Sequence, residues 1–237
     1  GQLSESFNLM TEHLEENMQC LLMRERELNE THIKMMQAQL NPHFLYNTLD
    51  TLKWLGKANE IPEIATLSAG LAKILRMSIS ATSKIQLKQE LEFAEAYVQI
   101  QRIRFEDKFE YLVEAPEELN DCIVPKLILQ PLIENSIIHG FAEKDYGVVI
   151  VEVKCENERL CITVRDNGAG MPAEQLALLN SKKPPKNREK HSIGFYNVNE
   201  IIRLNYGEAY GLTAESEQGS GTTIFITLPV IRGEENV

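Results

Sequence analysis

Apolar residues recur at helical spacing through the first third of the chain. Phe7, Leu14, Leu21, Leu28 and Met35 keep a strict seven-residue period, one seam of a coiled coil, whereas the partner seam begins with Leu3 and Met10 and decays into Asn17, Arg24 and Thr31. This predicts a parallel dimeric coil with polar core layers over residues 1–36, able to shift register; an amphipathic helix packed on its own chain is the other reading. Asn41-Pro42 reads as a helix N-cap followed by proline at the first helical position, or as a kink in a longer helix. Beyond it Leu45, Leu49 and Leu52 fall on one face, and His43, Asn47, Asp50 and Trp54 form a stripe on another, which places His43 toward solvent.

A loop from Gly56 to Pro62 leads to a second amphipathic helix, marked by Ile64, Leu67, Leu71, Ile74 and Leu75 and ending near Thr82. Residues 37–86 thus form a helical hairpin with an uncovered apolar stripe, and pairing with a second copy into a four-helix bundle buries it. A third helix is expected from Lys88 to Phe105. After Asp107 the period changes to two: Phe109–Glu114, Val148–Cys155 and Leu160–Arg165 alternate as strands, and Gly211–Glu217 and Thr222–Pro229 close the chain as a hairpin. Helices are predicted at Pro125–His139 and Phe195–Leu204. The fold class is α+β: an N-terminal coil and helical hairpin, then a two-layer α/β sandwich with a mixed sheet over residues 87–233, and a tail at 234–237.

The 237 residues are ample for a buried core, and 43% hydrophobic with 25% charged residues is a globular composition. A net charge of −11 without a basic, aromatic-interleaved cluster argues against nucleic-acid binding and mainly aids solubility. Cys20, Cys122, Cys155 and Cys161 form no CxxC pair and read as reduced core residues of a cytosolic protein. The most apolar stretch, Cys122 to Phe141, is broken by Lys126, Gln130 and Glu134, so no membrane span or signal peptide is expected. The chain opens at Gly1 inside a helical pattern, without a methionine, which suggests a piece of a longer protein.

Candidate chemistry gathers at five places. A neutral imidazole presented to solvent at His43 is a competent nucleophile. The helix Gln130–Gly140 carries Glu134, Asn135 and His139 among apolar neighbours, where polar groups are costly to bury for nothing, with Asn135 and His139 one turn apart. Asp166-Asn167-Gly168-Ala169-Gly170 ends a strand in an acid followed by two glycines that admit a ligand close to the backbone. Ser192-Ile193-Gly194-Phe195 opens a helix whose backbone N–H groups suit phosphate. It follows the polar, proline-broken loop holding Lys182, Lys183, Lys186, Arg188 and Lys190. Gly219-Ser220-Gly221-Thr222 is a glycine turn into the last strand. Together these describe a nucleotide site.

The order of the His43 box, the Asn135 box, Asp166 and the glycine turns resembles that of the sensor histidine kinases of two-component systems. Gln39-Leu40-Asn41-Pro42-His43-Phe44-Leu45-Tyr46-Asn47 looks specifically like the LytS/YesM-type branch, and the likeness runs from about Gln37 to Pro229. The opening Gly1–Met10 also resembles the last helix of a HAMP linker, which implies the cytoplasmic portion of a bacterial membrane protein. The resemblance implies a homodimer in which His43 takes the γ-phosphoryl group of ATP and passes it to an aspartate on a response-regulator receiver domain. It implies that Asn135 binds Mg²⁺. Asp166 would accept from the adenine amino group, with Gly168 and Gly170 shaping the pocket and His139 lining it. Gly194 and the loop residues Lys182, Lys183, Lys186 and Arg188 would close over the phosphates, and Gly219, Gly221 and Thr222 would support the adenine end. Glu134 and Asn47 are the candidates for proton handling or orientation at His43.

Three positions depart from the family pattern: Ile138 stands where lysine is common, Ser192 where glycine is, and Ile201 where arginine often is. They leave open a signalling scaffold that binds nucleotide weakly. An ATP hydrolase of the gyrase group is a further alternative, against which Pro131 stands one turn before Asn135, where such enzymes place a water-activating glutamate.

Overall fold

The computed structural model describes residues 42–80, 82–142, 144–181 and 190–233. The coil of residues 1–36, the Asn41 cap and the tail at 234–237 lie outside them. The chain forms two compact units, Gly1–Thr48 and Leu49–Val237. In the first, the described residues are the opening turns of helix α1 (Pro42–Ala58), where His43, Phe44, Asn47 and Thr48 are exposed and Leu45 half-buried.

In the second unit α1 ends at Ala58, and the link to α2 (Pro62–Ile79) is shorter than the predicted loop. A tight reversal accounts for this: a Cβ on Gly56 would lie 2.8 Å from the Ala65 nitrogen, and Glu60 takes a positive φ of 58°. α2 packs against α3 (Leu87–Arg104), and Gly70 permits the approach, since a Cβ there would lie 3.0 Å from the Ile100 side chain. α2 stops at Ile79, three residues before the predicted end, because Ser80 turns to extended φ/ψ while its N–H bonds back to Arg76 and Met77.

The sheet holds five strands in the order β2 (Phe109–Glu114), β4 (Gly147–Glu156), β5 (Arg159–Asp166), β7 (Gly221–Pro229), β6 (Gly211–Glu217). β2 runs parallel to β4 and the other neighbours are antiparallel, which makes the sheet mixed. One face is buried by period-two residues: Val149, Val151 and Val153 of β4, Leu160, Ile162 and Val164 of β5, and Ile224, Ile226 and Leu228 of β7. Against it lie α4 (Gln130–Asn135) with Leu132 and Ile133, and α6 (Lys190–Tyr206) with Phe195, Val198 and Ile202. α5 (Ala173–Asn180) packs along β6, where the Asn180 side chain donates to the Ala214 carbonyl and accepts from its N–H. The result is the α+β sandwich expected, with two additions: α5, and a two-stranded sheet of β1 (Lys84–Gln86) and β3 (Ile123–Pro125).

Two expectations are corrected. The helix predicted from Pro125 begins only at Gln130 and changes after Asn135 to a π turn, Ser136–Gly140. Residues 126–129 cannot join it because Leu127 sits at φ +59° and the buried Glu90 carboxylate accepts the Leu127 and Leu129 N–H groups, each at 2.8 Å. Of the cysteines, Cys122 is buried and Cys161 half-buried, but Cys155 is exposed, one of three exposed residues that end β4; Cys20 lies outside the described residues. Among the described helices none is long and apolar enough to cross a membrane.

Tyr111 offers a test of the core. Among the described residues its hydroxyl has no hydrogen-bond partner though the residue is 6% exposed, and burial, then Glu95 and Glu90, raise its pKa from 10.0. The unfolded chain releases this proton near pH 10 and the folded one only above it, so stability is present below pH 10 and falls as pH rises beyond. Tyr111→Phe is expected to leave neutral-pH stability unchanged or raise it by about 1 kcal/mol, and to flatten the alkaline decline in chemical unfolding.

Candidate functional site

At His43 the exposed Asn47 amide nitrogen lies 3.3 Å from Nδ1 and 3.4 Å from Nε2. The two residues are one turn apart, and Thr48 Oγ1 donates to the Phe44 carbonyl at 2.8 Å beside them.

In the second unit the site is built around Asp166, the last residue of β5 and 7% exposed. Its Oδ2 accepts from Ser136 Oγ at 2.8 Å; its Oδ1 accepts from the Gly168 N–H at 2.8 Å and the Thr222 N–H at 3.1 Å. Three donors from three chain segments fix the carboxylate, and a carboxylate has about four acceptor positions, so the described residues leave one for a ligand donor. The glycines enclose it. A Cβ on Gly168 would lie 2.6 Å from Gly140 Cα, one on Gly170 2.0 Å from the Glu217 carbonyl oxygen, and one on Gly221 2.1 Å from the Asp166 carbonyl oxygen. Gly170 and Gly221 also hold φ +64° and +112°. Ala169 N–H donates to the Gly140 carbonyl at 2.8 Å, and Gly219 N–H to the Ala169 carbonyl at 2.6 Å, which ties the end of the π turn, the Asp166 loop and the β6–β7 turn together. Lys144 Nζ donates to the Asn167 carbonyl at the same loop.

Asn135 ends α4 half-buried, and Gly194 of α6 lies beside it: a Cβ there would be 3.7 Å from the Asn135 Nδ2 and 3.2 Å from Pro131 Cβ, a tight fit against the proline. Glu134 looks elsewhere, as a helix neighbour turned by about 100° must. Its carboxylate faces Tyr97 of α3: burial first, then the charge of Glu134, raise the Tyr97 phenol above its ordinary range.

The comparisons fall on these segments. Residues 31–109 match the family described as histidine kinase, and residues 120–232 match that described as histidine kinase-, DNA gyrase B- and HSP90-like ATPase. The chain is 36% identical over 231 residues to the sensor histidine kinase YesM of Bacillus subtilis, covering 97% of this chain and 38% of that protein. It is 32% identical over 215 residues to the sensor protein kinase HptS of Staphylococcus aureus, covering 90% and 41%. The chain belongs to the sensor histidine kinase family. It spans about two fifths of the length of these curated relatives. Among solved structures, the histidine kinase domain of the Erythrobacter litoralis EL346 blue-light activated histidine kinase aligns at 16% identity with a TM-score of 0.47, covering 79% of this chain and 96% of that one.

In this histidine kinase chain, Asp166, Gly168, Gly170, Gly219, Gly221 and Thr222 come together as one cradle, and Gly194 stands beside Asn135. His139 is exposed on the π turn that follows Asn135. α6 already runs from Lys190, five residues before the predicted start at Phe195 and two before Ser192, which places the Gly194 N–H beyond the four that open the helix. Lys182, Lys183, Lys186 and Arg188 lie outside the described residues. Sequence reading missed Ser136, Gly140 and Lys144. Ser136 was the findable one: a hydroxyl directly after Asn135 on an apolar helix, 3% exposed, calls for a buried acceptor. Ser136→Ala removes that donor and is expected to weaken nucleotide binding about tenfold, the size of one hydrogen bond to a charged group, measured by titration with a fluorescent ATP analogue.

Proposed function

We propose that this chain is the kinase portion of a sensor histidine kinase that transfers the γ-phosphoryl group of ATP to His43 and then to an aspartate of a response-regulator receiver domain. The observation that carries the reading is the Asp166 carboxylate, held by three donors inside a glycine cradle with one acceptor position open for an adenine amino group. Gly168 and Gly170 shape that pocket, His139 lines it, and Gly219, Gly221 and Thr222 support its adenine end. Gly194 and the loop cations Lys182, Lys183, Lys186 and Arg188 close over the phosphates. The Asn135 amide oxygen is a fitting ligand for Mg²⁺, which when bound supplies charge neutralisation at the phosphates.

The transfer forms one N–P bond from an imidazole nitrogen and breaks the bond from the γ-phosphorus to its bridging oxygen, so ADP leaves and the ring proton goes to solvent. Asn47 orients the ring for that attack. Glu134, turned to Tyr97, acts on the orientation of α4 rather than on the proton. Residues 1–36 serve as the HAMP-like signalling coil, 37–86 as dimerisation and phosphoacceptor helices and 87–233 as the ATP-binding domain, on the cytoplasmic side of a membrane-embedded parent. A homodimer is supported by the apolar residues left exposed on α1 and α2: Leu52, Trp54, Leu55, Ile64 and Leu71.

Incubation with γ-labelled ATP and Mg²⁺ tests the reading. Protein-bound label that is acid-labile and alkali-stable is the expected result. Nucleotide binding with sustained phosphate release and no bound label would instead make the chain a hydrolase.

A further inference from the structure

The four-residue turn Lys126–Leu129, between β3 and α4, is gripped from two sides. Lys126 Nζ donates to the Ser80 carbonyl at 2.6 Å and to the Met77 carbonyl at 3.3 Å, two acceptors at the C-terminal end of α2. Its backbone N–H donates to the Ser83 carbonyl at 3.1 Å, and the pairing Ile85↔Val124 extends the tie along β1 and β3. From the other side Glu90 of α3, 1% exposed, receives the Leu127 and Leu129 N–H groups at 2.8 Å each. Leu129 is the N-cap of α4, and Asn135 is the residue on which that helix ends.

This arrangement is more than a filled gap. A half-buried lysine whose described hydrogen bonds are to carbonyls, and a buried carboxylate on backbone N–H groups, are both specific to one placement of the turn. Desolvation lowers the Lys126 pKa and raises that of Glu90, and the backbone N–H groups that Glu90 accepts from offset part of its shift. The positive φ of Leu127, +59°, is kept by that grip. α2 and α4 thus have a direct polar linkage only four residues long at the base of the Asn135 helix.

We propose that Lys126 and Glu90 form a clasp through which the C-terminal end of α2 sets the position of Asn135, acting as positioning residues for phosphoryl transfer. The proposal rests on the kinase reading above. A change in α2, the helix that continues the His43 hairpin, reaches the metal-binding asparagine through this turn without altering the adenine cradle.

The test uses the whole chain. Lys126→Met keeps the stem but cannot donate; it is expected to bind an ATP analogue with Mg²⁺ within twofold of wild type and to phosphorylate His43 at least fivefold more slowly at saturating ATP. Lys126→Arg is expected to restore the rate to within twofold. Glu90→Gln, which places an amide donor against one of the two N–H groups, is expected to show the same split between affinity and rate. An unchanged rate in Lys126→Met, an equal loss of affinity and rate, or no rescue by arginine overturns the clasp. If wild type binds nucleotide but takes no label, the kinase reading fails instead, and hydrogen exchange decides the clasp. Analogue binding should slow exchange in the last turn of α2 and at Leu127 and Leu129 together in wild type, and uncouple them in Lys126→Met; independent exchange in wild type overturns it.

Discussion

Replacing His43 by alanine is expected to remove all acid-labile phosphate, a fall in the labelling rate of at least about a hundredfold, while leaving nucleotide affinity within twofold. The side chain is exposed and its contact is with Asn47 on its own helix, so its loss exposes no core and stability should move by no more than about 0.5 kcal/mol. The chemistry, however, has no substitute. Of the described residues near it, Asn47 is an amide and Thr48 spends its hydroxyl on the Phe44 carbonyl, so neither offers a second nucleophile in that turn. The measurement is single-turnover labelling beside an analogue titration; label that survives the substitution removes His43 from the role assigned to it.

The second large effect is Gly221→Ala. The new methyl would stand 2.1 Å from the Asp166 carbonyl oxygen and 2.9 Å from Asn167 Cα, and the backbone holds φ +112°. Neither neighbour is the end of a flexible side chain, so β5 and β7 must part where Asp166 pairs with Thr222. Left-handed strain and the clash together are expected to cost about 3 kcal/mol or more, a fall in Tm of roughly 10 °C. The same parting withdraws the Thr222 N–H from Asp166 Oδ1, so nucleotide binding should be lost at temperatures where the chain is still folded. Calorimetry with and without nucleotide checks both: a variant still stabilised by ATP analogue would separate Gly221 from the cradle. His43→Ala and Gly221→Ala thus divide chemistry from binding.

How much of this was legible in the sequence depended on whether a local pattern was sufficient. β2 and β6 match their predicted bounds because alternation such as Phe109, Tyr111 and Leu212, Ala214 is a property of one strand with one buried face. The acid-then-glycine stretch at Asp166 was readable for the same reason. The stretch Pro125–Leu129 misled because Ile128, Leu129, Leu132 and Ile133 have helical spacing and are all buried, yet the first two are buried in a turn. What overrides the period there is Glu90, nearly forty residues earlier, and no local window contains it. The three-residue strands β1 and β3 are too short to alternate, and only their mutual pairing makes them strands. Cys155 shows the converse: its residue type favours burial, but its place at the end of β4 decides.

The sheet's outermost strands carry a further consequence. β2 presents exposed Glu110 and Glu114, and β6 exposed Glu215 and Glu217, so each rim that could accept another chain by strand addition is lined with carboxylates of the same sign. Two copies brought rim to rim would set like charges across a hydrogen-bonded ladder, a repulsion that edge strands use against aggregation. Strand addition at either rim of this sheet is therefore disfavoured, and with it fibrous stacking of copies through the sheet.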